Sequence, residues 1–498
     1  MANKRDVLMA TSFGKRVAEE EGEELSSYFV ETDQWRRVFS GEVDIVYGPK
    51  GSGKSAIYSL ILLRKNELEG RGITVMPAEN PRGTAAFKDL VADPPSGENE
   101  CRALWKIYFL SLIGEALRGF PHLNEPAQRV VSALEEAKLL PREATLSGRL
   151  KSVRDYVRRI LKAEAFEGGI KINEMTGQPE GITGKIILRE PDARELHAGI
   201  VSADELLKAA ESAFVSYNHN LWLVLDRLDV TFADSAELES NALRGLFRVY
   251  LDLLPMSRVA LKIFLRNDIW QRIMRQPFPE ASHITRETTI SWSKNSLLNL
   301  VIKRLLHNAA VLEMYGVKSE VVLAQLEEQL RLFYRVFPPQ VDAGGNKPVT
   351  LDWMLSRTSD GSRQTAPREL IHLLSSAREV ELKGLEIGAA DPPGDALFDR
   401  NALKEALKFV SKARFEQTLC AEYPQYKAFL QKLEHGKTEQ SLQTLGKIWG
   451  VTEAETLKLA GALTEVGFFE QHGTKEQPRF WVPFLYRGAL SMVQGTAK

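Results

Sequence analysis

The sequence predicts an α/β protein: a parallel sheet covered by helices on both faces, then a helical segment, then a small C-terminal domain of helices and strands. Three observations predict it. Over the first three hundred residues or so, short apolar strand patterns alternate with amphipathic helical ones, the order that builds a parallel sheet through helical crossovers. A glycine-rich turn, GPKGSGKS at residues 48–55, stands between the first strand pattern and the first apolar helix. After Lys294 the strand pattern stops, and long amphipathic helices run to a breaker-rich linker, GAADPPG, at residues 388–394.

Taken in order, residues 43–47 (VDIVY) read as a strand rich in β-branched and aromatic residues. Residues 55–66 (SAIYSLILLRKN) read as a helix with its basic residues late, where the helix dipole favours them. A second strand is expected at 73–76, a loop at 77–98, and an amphipathic helix at 101–119. Residues of about 120–200 fit the α/β alternation least well. They read as an insertion with a helix at 152–163 and a turn-rich hairpin at 168–190. Residues 203–217 are helical. LWLVLD at 221–226 is a buried strand ending in a carboxylate, VALKIFL at 259–265 is another, and 288–292 is a weaker one. Helices are then expected at 295–312, at 319–336 and from Pro367. This divides the chain into a core of residues 1–294, a helical lid of 295–387, and a helical linker with a terminal domain in 388–498.

The turn matches G-x-x-x-x-G-K-[ST] between a strand and a helix, the context that gives the motif its meaning. Gly51 and Gly53 allow backbone conformations that a side chain would forbid. The amides of Gly48, Pro49, Lys50, Gly51, Ser52 and Gly53 form the loop, although Pro49 supplies no N–H, and the helix start adds partial positive charge. Lys54 reaches the outer phosphates, and the Ser55 hydroxyl ligates Mg²⁺. The spacing therefore predicts a site for a nucleoside triphosphate with Mg²⁺. Such a site needs a carboxylate opposite the loop, and LWLVLDRLD supplies Asp226 for the metal. Asp229 has two readings, a base that orients the attacking water or a solvated surface acid. Many hydrolytic ATPases carry Glu directly after this aspartate, and here the residue is Arg227.

FLRND ends the next strand. Asn267 or Arg266 there is either a sensor of the outer phosphate or part of a turn, since Asn-Asp is good turn chemistry. Arg272, Arg275 and Arg286 follow, each an arginine for a neighbouring subunit's nucleotide or an ordinary surface residue. In RQTAPRELIHLL, Arg368 sits one residue into a helix opened by Pro367. It reads either as a lid contact to phosphate or as a helix-start residue paired with Glu369 or a neighbour.

The succession GPKGSGKS, LVLDRLD, FLRND, SWSKNSLLNLVIKRL, TAPRELIHLL resembles the additional-strand P-loop ATPases, and within them the AAA+/STAND-like group that includes origin-recognition, KAP and NLR-type NTPases. The opening YFVETDQWRRVFSGEVDIVYGPKGSGKSAI is similar to a bacterial P-loop ATPase family. The resemblance covers most of residues 12–380 apart from the insertion. It implies a P-loop NTPase sheet of order 5-1-4-3-2 with a helical lid. It also implies ATP and Mg²⁺ as ligands, and loop, metal, sensor and lid roles for Lys54, Ser55, Asp226, Asp229, Asn267 and Arg368. Members of such families act as nucleotide switches in bacterial conflict systems, which implies assembly with itself or with an effector partner and a role in antiviral defence. Arg227 departs from the pattern and points to slow turnover.

Residues 442–486 resemble a winged helix, with helices at 441–449 and 452–466, a capping box from Thr452 and Glu455, and wing strands at 468–471 and 480–483. The residues that would enter a DNA groove are Glu453, Glu455, Thr456 and Lys458, and Glu465 adds a further negative charge. Upstream, Lys404, Lys408 and Lys412 form a ridge near Arg414. Charge therefore favours protein–protein or intramolecular docking, with a DNA-associated loader as the alternative. A net charge of −1 supplies no general attraction to nucleic acid or acidic lipid. Two cysteines form neither a metal spacing nor a disulfide framework, and no apolar run is long enough for a membrane span, so a cytoplasmic protein is expected. No metalloprotease, serine-hydrolase or nuclease signature is present.

Overall fold

The computed structural model describes residues 3–79, 95, 97–141, 145–165, 186–228, 236–275, 277–474 and 476–497. The chain divides into two compact bodies. One comprises Asp33–Gly48 and Lys54–Thr289, the other Met1–Thr32, Pro49–Gly53 and Ile290–Lys498.

The first body is built on a five-stranded sheet. Its strands are β1 (Ile45–Gly48), β2 (Ile73–Pro77), β3 (Asn220–Leu225), β4 (Val259–Arg266) and β5 (Glu287–Thr289). Their order is β2-β3-β4-β1-β5, and every pairing is parallel. Near-continuous apolar runs suit strands buried on both faces. Ile45, Tyr47, Leu221, Leu223, Leu225, Leu261, Ile263 and Leu265 share one core with residues of three helices, α2 (Glu98–Arg118), α3 (Ala203–Tyr217) and α4 (Ala236–Leu253). Gly245 lets α4 approach α2 closely, because a Cβ there would lie 2.8 Å from the Arg102 backbone nitrogen. Against the other face lies α1 (Lys54–Leu63), whose Tyr58 meets Phe264 edge to face at 6.0 Å. Also in this body, the fully buried Lys262 pairs with Asp44 at 2.8 Å, and Arg286 reaches the same carboxylate at 3.0 Å. Burial lowers the proton affinity of the Lys262 ammonium, and Asp44 opposes that shift.

In the region expected to be an insertion, helices occupy Glu125–Glu136 and Leu146–Ala165. Most of the expected hairpin, residues 168–185, lies outside the described residues. Its end, Ile186–Ile187, pairs in parallel with Val201–Ser202. A capping box at Asp192 starts the intervening helix Ala193–His197, so the chain returns to that pairing in the same direction. The Asn267-Asp268 turn reading is corrected: these residues open α5 (Asn267–Met274), with Arg266 as an extended N-cap.

The second body carries α6 (Lys294–Leu306), α7 (Leu326–Val336), α8 (Pro367–Glu386), α9 (Arg400–Ala413), α10 (Leu442–Trp449) and α11 (Glu453–Glu465). It also holds a four-stranded sheet of β6 (Lys437–Ser441), β7 (Glu470–Gly473), β8 (Pro478–Trp481) and β9 (Val493–Thr496), in the order β9-β6-β8-β7. Two expected helices are each broken. The 295–312 helix stops after Leu306 because the Asn308 side chain donates to the Arg304 carbonyl at 2.7 Å and to Ser12 O at 3.0 Å, replacing the backbone ladder. The 319–336 helix parts at Gln325, whose backbone is extended. Thr452 and Glu455 do form the expected capping box. Strands β6 and β9 extend the expected pair β7 and β8, and β8 pairs with β6 as well as with β7.

Candidate functional site

The loop after β1 has the local geometry its glycines predict. Gly51 and Gly53 take φ of +82° and +103°, the left-handed region that favours glycine. Ser52 N donates to Pro49 O at 3.2 Å, closing a tight turn. Within the first body, Lys54 Nζ donates to Gly48 O at 2.8 Å, so the ammonium folds back over the start of its own loop. On the same body, Ser55 Oγ donates to Asp226 Oδ2 at 2.6 Å. Asp226 is 4% exposed and follows β3 directly, where the strand delivers its carboxylate to the first turn of α1. A hydroxyl and a carboxylate converge here, both hard oxygen donors of the kind Mg²⁺ takes together with water and phosphate oxygens. Among the described residues no group of three or more His, Cys, Asp or Glu is placed to hold a metal. These residues therefore fit Mg²⁺ with a triphosphate.

Arg227, next to Asp226, takes φ of +60°. Asp229 lies outside the described residues. Asn267 begins α5 at the C-terminal edge of β4, and its Oδ1 is buried without a hydrogen-bond partner. Arg266 is engaged by Asp268 at 2.9 Å. Arg272 is held by Glu239 at 2.6 Å and Arg286 by Asp44, so both are tied into their own body.

In the second body, residues 49–53 of the loop pack against the start of α8. A Cβ on Gly51 would lie 3.0 Å from Arg368 Cβ, 3.3 Å from Glu369 Oε2 and 3.4 Å from Ala366 Cβ. Arg368 Nε donates to Arg16 O at 3.3 Å. The pairing of Arg368 with Glu369 is not found: Glu369 is taken by Arg414 at 2.9 Å. Lys50 forms an ion pair with Glu422. The Trp292 indole N–H donates to Ser52 O at 2.8 Å. Sequence reading placed Gly51 and Arg368 at one site, and named Glu369 only as a partner for Arg368, without foreseeing Glu422 or Trp292 there. No local pattern marks these residues, since the partners of Lys50 and Ser52 are far away in the chain.

Gly51→Ala is expected to lower stability by about 1–2 kcal/mol from the left-handed backbone alone. Steric pressure on Arg368 Cβ adds to this. Thermal or urea unfolding of the purified variant checks the figure.

The basic ridge upstream of α10 is largely neutralised. Lys404 lies 3.2 Å from Asp342, and Lys408 lies 2.7 Å from Glu405. Arg414 is not part of that ridge; it is buried against Glu369 and Asp360. Of the α11 residues considered for a DNA groove, Thr456 is fully buried and bonds the Thr452 carbonyl, while Glu455 caps its own helix.

No family model matches the chain, and no curated protein does. Among solved structures, the Aeropyrum pernix ORC2 protein in its ADPNP–ADP complexes aligns at 14% identity over 96% of this chain and 94% of that one, with a TM-score of 0.36. Its ADP form aligns at 14% identity over 90% and 86%, with a TM-score of 0.31. At that level neither fold nor function transfers. No helix among the described residues is long and apolar enough to cross a membrane.

Proposed function

We propose that the chain binds ATP with Mg²⁺ and hydrolyses it, as a P-loop switch of the AAA+/STAND-like type. The observation that carries this reading is the pairing of Ser55 Oγ with Asp226 Oδ2 at 2.6 Å, at the helix start of a glycine loop whose lysine folds over it. The amides of residues 50–53 and the Lys54 ammonium hold the phosphates. Ser55 and Asp226 hold the metal. When bound, Mg²⁺ neutralises charge that develops on the phosphate oxygens. The open Oδ1 of Asn267 orients water or phosphate-bound solvent, and Asp229 is assigned to the same water. Arg368, beside Gly51, contacts the outer phosphate oxygens.

In this reading residues 295–387 act as the lid, and 388–498 as linker and winged helix. Nucleotide state governs assembly with a second copy or with a partner that supplies the effector, as in bacterial defence systems. The neutralised lysine ridge and the buried Thr456 weigh for a protein partner over duplex DNA.

Lys54→Ala tests the reading. Calorimetric titration with Mg²⁺–ATP is expected to give affinity lowered by about tenfold or more, since a charge-assisted contact is worth about 1.5–3 kcal/mol. Affinity equal to that of the unaltered chain overturns the assignment.

A further inference from the structure

We infer that Trp292 is a positioning residue for the phosphate loop: its indole N–H holds the Ser52–Gly53 peptide in the orientation that offers the Gly53 amide to phosphate. The inference rests on the proposed ATPase reading and names a residue outside the motif on which that loop depends.

A peptide group is planar and trans, so its C=O and N–H point in opposite directions. The Trp292 indole N–H donates to Ser52 O at 2.8 Å. The carbonyl of this peptide is thereby drawn toward the indole, and the Gly53 N–H of the same peptide points away from it. A glycine loop does not fix that choice by itself. Gly53 takes φ of +103°, and without a Cβ it tolerates either orientation of the peptide. Reversal would present the Ser52 carbonyl oxygen to a bound phosphate and withdraw one N–H donor from it. The indole discriminates between the two because it is a donor only. Facing the carbonyl, it is satisfied. Facing the Gly53 N–H, it would set donor against donor.

The indole is itself held in place. Trp292 packs against the buried residues Val30, Leu300 and Ile371, all in the second body. Leu300 lies on α6 and Ile371 on α8. Directly after Trp292, the Ser293 side chain accepts from Ser296 N in a capping box that fixes where the chain enters α6. On the loop side, Ser52 is buried, and a Cβ on Gly53 would lie 3.9 Å from Trp292 Cζ2. The ring therefore lies against both residues of the peptide it orients.

The test compares Trp292→Phe with the unaltered full-length chain. Phenylalanine keeps an aromatic ring against Val30, Leu300 and Ile371 and removes the donor. Calorimetric titrations use Mg²⁺–ADPNP and Mg²⁺–tripolyphosphate, the second having neither base nor ribose. Both affinities are expected to fall by the same factor, about three- to tenfold, the size of one neutral hydrogen bond. The KM for Mg²⁺–ATP is expected to rise by that factor while kcat stays within about twofold, because the amide serves bound substrate and transition state alike. Unchanged affinity for both probes overturns the inference, even where the unfolding temperature falls, since the indole is then only part of the core. Loss for ADPNP alone also overturns it, because the indole would then act on the nucleoside. If Trp292→Phe does not fold, Trp292→3-benzothienylalanine replaces the N–H by sulfur in a ring of the same shape, and the same results decide. Unchanged affinity in Lys54→Ala would instead remove the ATPase reading, which unchanged affinity in Trp292→Phe leaves standing.

Discussion

An Asp226→Asn protein will still bind nucleotide but turn it over about a thousandfold more slowly, because a lost metal contact costs several kcal/mol and each 1.36 kcal/mol is a factor of ten. The change is nearly isosteric. The amide oxygen still accepts the Ser55 hydroxyl bond, now 2.6 Å, so the fold of the loop and of α1 is kept. What disappears is the negative charge. Asp226 is 4% exposed, and in that poorly solvated position a charge acts on a cation more strongly than it would in water. In the proposed site the affinity for nucleotide rests mainly on amides and Lys54, so it is expected to change little. The magnesium concentration giving half-maximal rate should rise. Steady-state turnover against magnesium, beside binding of ADPNP, checks both arms. Turnover within about tenfold of the unaltered chain would remove Asp226 from the metal.

Arg414→Met is expected to cost about 3–5 kcal/mol of stability, the range for removing one member of a buried ion pair. The Arg414 guanidinium donates to Glu369 Oε1 at 2.9 Å, and it approaches Asp360 Oδ2 and the Tyr486 hydroxyl at 3.4 Å. Burial works against its charge, but Tyr486, Glu369 and Asp360 hold its proton above the usual arginine range. Glu369 and Asp360 are themselves 6% and 13% exposed in their side chains. With the arginine gone, two carboxylates remain inside the second body without their cation. Urea unfolding followed by circular dichroism measures the loss. Adding Glu369→Leu to Arg414→Met should recover part of it, because an apolar replacement of both partners avoids the stranded charge. No loss in the single variant would mean that the triad is solvated in solution.

The legible parts of the chain are those whose chemistry is local. Lys54, Ser55 and the two glycines declare themselves because a strand, a turn and a helix follow one another within a few residues. Asp226 is legible because a buried strand ending in an acid is a short pattern. The helix 203–217 was read with its observed bounds, since Ser202 caps it and Asn218 closes it in the left-handed region. The breaks at Asn308 and Gln325 escaped, because apolar spacing alone does not register a side chain that captures backbone carbonyls. Arg414, placed by sequence only near the lysine ridge, is illegible for a related reason: its partners Asp360 and Glu369 lie in segments that sequence alone does not bring to it.

The pairing of Lys50 with Glu422 joins residues separated by 372 positions. A ribosome adding about 5–20 residues per second needs roughly 20–75 s to travel that distance. Throughout this interval the glycine loop is already made while its acidic counterpart does not yet exist. The nascent chain therefore passes this interval with Lys50 uncommitted, and the ammonium's final partner arrives only when residue 422 has been made.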